Sequence, residues 1–95
     1  MRIRITFNES SHLWEKEFEF NKLFTKAQLT YLTDLYKIKG YLYLNTIYEV
    51  FGLKWNPYDK NSCWIYERDG ELEPSIIYND ASGDKITIDI ISKTN

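Results

Sequence analysis

"FTKAQLTYLTDLYKIKGYLYLNTIYEVFGL", residues 24–53, decides how this chain folds. Its first half has helical period. Leu29, Leu32, Leu35 and Tyr36 make one stripe, and Lys26, Thr30, Thr33, Asp34 and Lys37 make the opposite face. Tyr31 and Ile38 widen the stripe at its edge. Thr25 is placed as an N-cap, with Gln28 completing a capping box and Phe24 and Leu29 forming a hydrophobic staple. Gly40 stops the helix after Lys37 and Lys39 have complemented its negative end. This predicts a full amphipathic helix over about 26–38. In the second half, Tyr41–Leu44 reads as a short extended piece. Asn45 then caps a short helix over about 46–51, which Gly52 ends. Ile47, Val50 and Phe51 share its docking face, and a helix of under two turns exists only because that face docks.

Period 2 takes over on both sides. Ile3, Ile5 and Phe7 alternate with Arg2, Arg4 and Thr6, and Trp14, Lys16, Phe18 and Phe20 alternate with Glu15, Glu17 and Glu19. With "NESSH" between them, residues 2–7 and 13–20 read as an antiparallel hairpin. Its outer face would set Arg2 and Arg4 against Glu17 and Glu19. Beyond the loop "KWNPYDKNS", the segment "CWIYER" turns at Asp69–Gly70 into "ELEPSIIY", where Pro74 points to an edge strand. "NDASGD" is a second turn. "KITIDIIS" is a strand with Ile86, Ile88 and Ile90 inward and Thr87 and Asp89 outward. The expected fold class is α+β: an antiparallel sheet of about four to six strands in the order β-β-α-(β)-α-β-β-β.

The 95 residues make one domain, 1–95. Apolar residues at 43% and charged residues at 27% fit a globular chain, and 17% aromatics let a small domain bury much area with few residues. A net charge of −2 and a pI near 5.3 lack the basic footprint of direct nucleic-acid binding. The apolar runs are far short of the roughly 20 residues that span a membrane, and the alternating start reads as a strand and not a leader. A cytoplasmic protein is expected, with no membrane partner.

Chemistry finds little purchase in the pattern. Cys63 and His12 are the only cysteine and histidine; they read as a buried strand residue and an exposed turn residue, with no third group to complete a nucleophile–base set. The four glycines are isolated, so no phosphate loop forms. No catalytic residue, metal site or cofactor is expected, and the chain is read as non-enzymatic. Two features suit binding. The first is an acidic turn of Glu67, Asp69, Glu71 and Glu73, which could steer a basic partner but also reads as a solvated hairpin tip. The second is aromatic: Tyr41, Tyr43, Trp55 and Tyr58. If Leu42 and Leu44 face the core, Tyr41 and Tyr43 face out, and tyrosine suits interfaces because its ring is apolar and its tip is wet.

The hairpin start, the segment 24–53 with its "GYLYLN" and "FGL", and the alternating "KITIDI" together resemble short proteins encoded by phages and prophages of Gram-positive bacteria. The resemblance brings no catalytic residues. It implies an accessory protein that works by binding a host protein, such as a nucleic-acid-binding defence effector, in the size class that includes anti-CRISPR and other anti-defence proteins. The alternative it implies is a small virion or assembly protein working by self-association.

Overall fold

A computed structural model describes residues 2–78 and 82–93. It is a small α+β domain, and its long elements follow directly from the two periods. Strand β1 (Arg2–Asn8) buries Ile3, Ile5 and Phe7 and exposes Arg2, Arg4 and Thr6. Strand β5 (Lys85–Ser92) buries Ile86, Ile88 and Ile90. The two pair antiparallel with Ile5 opposite Ile88. Strand β4 (Leu72–Tyr78) pairs with the other side of β5, giving the order β1-β5-β4. Pro74 is therefore on an edge strand, where its missing N–H breaks no central ladder.

Helix α1 (Phe18–Lys39) covers this sheet with Leu29, Leu32 and Tyr36. Gly40 ends it in the left-handed region at φ 82°, and its N–H donates to the Tyr36 carbonyl at 2.8 Å. Tyr31 and Ile38 do not widen the buried stripe; both are exposed. Strand β2 (Tyr41–Tyr43) and helix α2 (Leu44–Val50) follow at once. Strand β3 (Cys63–Ile65) pairs with β2 in a separate two-stranded sheet, and the single turn α3 (Tyr66–Asp69) leads to β4. One apolar core joins both sheets, from Phe7 and Ile88 to Trp64 and Phe51.

The five strands among the described residues thus form two antiparallel sheets and not one, and the expected order needs two corrections. Residues 13–20 are not the second strand of a hairpin. They are a turn region followed by the first helical residues, and β5 takes the place beside β1. Asn21 explains the difference. Its buried amide accepts from the Glu15 N–H at 2.9 Å and donates to the Glu15 carbonyl at 2.8 Å, holding residue 15 away from any ladder. Helix α1 therefore starts eight residues before the expected 26. Thr25 is no cap: it is buried inside the helix, its hydroxyl donating to the Asn21 carbonyl at 2.8 Å. Arg2 and Arg4 meet Asp89 and not Glu17 and Glu19. Arg4 grips the carboxylate with two bonds, of 2.6 and 2.8 Å, and Arg2 adds one of 3.2 Å.

The second correction lies at Asp69–Gly70. No hairpin forms there, since β3 pairs with β2 and β4 with β5. Residues 66–69 coil into α3, and Gly70 exits at φ 72°, ψ −161°. The turn expected at 79–84 lies partly outside the described residues. Helix α2 also begins earlier than expected, with Tyr43 and not Asn45 at the N-cap position. Gly52 follows it at φ 67°, so close to Ser11 that a Cβ would stand 2.5 Å from Ser11 Oγ.

Candidate functional site

The alternation in β2 places its side chains as the residue pattern requires. Leu42 is 2% exposed and Leu44 is buried, while Tyr41 and Tyr43 are 43% and 44% exposed. The two tyrosine rings meet edge to face at 5.6 Å. Across the ribbon, Tyr41 stands opposite Ile65 and Tyr43 opposite Cys63. Ile65 is exposed and Cys63 half-buried, so the cysteine is not the core residue it was expected to be; Trp64 takes the inward position. His12 is exposed, as expected.

The loop after α2 supplies the next aromatic surface. Asn45 is buried and grips the loop: its carbonyl oxygen accepts from Asn56 N–H at 3.0 Å and its amide donates to Asn56 C=O at 3.3 Å. Asn56 in turn caps a single 3-10 turn (Pro57–Asp59), its side-chain oxygen accepting from Tyr58 N–H at 3.0 Å. The loop is held, yet its large rings stay outside. Trp55 is 60% exposed and Tyr58 94%. Between the loop and the start of α2 lies an open groove of about 570 Å³, lined by Tyr43, Asn45, Thr46, Trp55, Lys60 and Asn61. Its size is in the range of small-ligand and side-chain pockets. Two of the four aromatic candidates, Tyr43 and Trp55, share this groove. Tyr41 adjoins it through its contact with Tyr43, and Tyr58 stands apart from its lining.

Sequence reading missed Thr46, Lys60 and Asn61, and it gave Asn45 a capping role. The only available signal was Asn56 set between Trp55 and Pro57, and nothing in its spacing from Asn45 announces that residues 45 and 56 bond each other.

The acidic turn is dispersed. Asp69 pairs with Arg68 at 2.9 Å and accepts from Ile65 N–H at 2.8 Å, and these hydrogen bonds, that of Arg68 first, hold its carboxyl below the usual range. Glu71 lies between Lys37 at 3.9 Å and Lys93 at 3.7 Å. Glu67 and Glu73 are exposed, one on α3 and one on β4. Among the described residues no group of three or more His, Cys, Asp or Glu side chains could hold a metal, and no helix is long and apolar enough to cross a membrane. Comparison with protein families, curated proteins and solved structures finds no match.

Proposed function

We propose that this protein is non-enzymatic and acts by binding another protein through the face built by Tyr41, Tyr43 and Trp55. As a phage-type accessory protein, its target is a host defence or regulatory protein. One observation carries the binding reading: three large rings stand in solvent around a groove while the core closes without them. A 95-residue domain needs its large side chains for its own stability, so rings left outside on a braced frame call for another use. Trp and Tyr are enriched among the few interface residues whose truncation costs about 2 kcal/mol or more. The resemblance of residues 24–53 to phage-encoded chains supports the choice of target.

The test is capture from host lysate with tagged wild type and with Tyr43→Ala and Trp55→Ala. A host protein retained by the wild type and lost by both variants, each with an unchanged circular dichroism spectrum, is the expected result. Equal retention by all three would remove this face from the interface.

A further inference from the structure

The backbone around the aromatic face is unevenly satisfied. At the ends of the β2–β3 ribbon, Leu44 N–H donates to Ser62 C=O at 3.0 Å and Tyr66 N–H to Gly40 C=O at 2.9 Å. Antiparallel pairs alternate between bonded and non-bonded. Leu42 and Trp64 therefore share the bonded pair between these two, and Tyr41, Tyr43, Cys63 and Ile65 turn their backbone groups away from the ribbon.

On the β3 side those groups are answered from within. Ile65 N–H donates to the Asp69 carboxylate at 2.8 Å, and the Arg68 guanidinium donates to Cys63 C=O at 3.2 Å. The Arg68–Asp69 pair stands where a third strand would. On the β2 side only Tyr43 C=O is used, opening helix α2. No described residue bonds Tyr41 N–H, Tyr41 C=O or Tyr43 N–H. The larger sheet guards its own edges in familiar ways, with Pro74 on β4 and Arg2 and Arg4 on β1.

We propose that the free edge of β2 takes an extended segment of the partner as an added strand, with one apolar side chain seated in the groove between Tyr43 and Trp55 and a carboxylate two residues along, on the same face, meeting Lys60. This deepens the binding reading above and rests on it. The backbone bonds come from the unanswered groups of Tyr41 and Tyr43. The groove opens at Tyr43's own side chain, so a strand docked there passes its mouth. The charge preference follows from Lys60, which has no carboxylate partner among the described residues while Asp59 beside it accepts from the Asn56 amide at 3.0 Å. Strand addition gives affinity through the main chain and specificity through alternate side chains.

The probe is an acetylated, amidated heptapeptide of alternating valine and threonine with a central Phe–Thr–Glu, so that Phe and Glu share one face, titrated into the labelled protein by NMR. Two further forms are N-methylated on one or the other alternate set of amides. The parent should shift the Tyr41 and Tyr43 amides and the Trp55 indole together and slow exchange at Tyr43 N–H. One methylated form should lose at least tenfold in affinity and the other should match the parent. A Lys60→Gln variant should lose preference for Glu over Gln in the peptide. If both methylated forms bind like the parent while the Trp55 indole still shifts, strand pairing is wrong and the aromatic face survives as a side-chain site. A flat titration to millimolar peptide overturns the added strand, and the lysate comparison with Trp55→Ala then decides separately whether the face binds protein at all.

Discussion

Asn21 does more for this fold than its place in a helix suggests. It is fully buried, and both ends of its amide are spent on residue 15, fixing where the turn after β1 stops and α1 starts. Asn21→Ala would strand the Glu15 N–H and C=O in a part-buried place, a loss of about 1–3 kcal/mol, read as a lower urea midpoint at unchanged slope. A fall below about 0.5 kcal/mol would show that water replaces the amide. Asp89 makes the second prediction. Its hydrogen bond to Arg4 leads in holding its pKa down from 3.8 to about 2; burial opposes it, and the bond to Arg2 and the charges of both arginines add to the lowering. A carboxyl depressed in the folded state stabilises it above the unfolded pKa, and that contribution is lost as pH falls through the folded value. Stability should therefore drop between about pH 4 and pH 2, and Asp89→Asn should flatten that limb while lowering the plateau above it. Identical acid limbs for the two proteins would refute the assignment. The sequence showed Asp89 as an outward residue of its strand, but not its partners, because Glu17 and Glu19 offered the same charge at the same period.

Elements were legible where one pattern had one reading. The strands at 2–8 and 85–92, the C-terminal stop at Gly40 and the outward turn of Tyr41 and Tyr43 all follow from period and parity. Residues 13–20 were not legible, because alternating Glu suits a strand face as well as a helix N-terminus, where the dipole favours acids. The same ambiguity hid α3. Asp-Gly is a strong hairpin signal, yet here the aspartate turns back to cap Ile65 N–H. That capping predicts a measurable asymmetry. In native exchange the Ile65 amide should be protected and the Tyr43 amide open, and Asp69→Asn should weaken the Ile65 bond and speed its exchange at least severalfold. Equal rates at residues 43 and 65 in the wild type would mean that the two edges of the ribbon are equivalent.

For the whole molecule the question is whether two sheets make one unit. The sheets share no backbone ladder, and β2–β3 alone is only three pairs long. A two-stranded ribbon of that size is not stable by itself in water. What holds it is the common core: Leu42 and Trp64 from the ribbon sit in the same cluster as Ile5, Ile88 and Leu32. On that packing the aromatic face should be as stable as the sheet it does not belong to, with its exposed rings held in place by the shared core. Ile88→Val tests this coupling, since Ile88 is fully buried at the centre of β5 and lies in the three-stranded sheet. Removing one buried methylene should cost about 0.5–1.5 kcal/mol. If the domain is one cooperative unit, that loss appears equally in far-ultraviolet dichroism, which follows the backbone of the whole domain, and in the exchange of the Trp64 indole inside the ribbon. If instead the Trp64 indole keeps its wild-type exchange rate while the dichroism midpoint shifts, the ribbon opens independently of the three-stranded sheet, and the aromatic face is not held by the shared core.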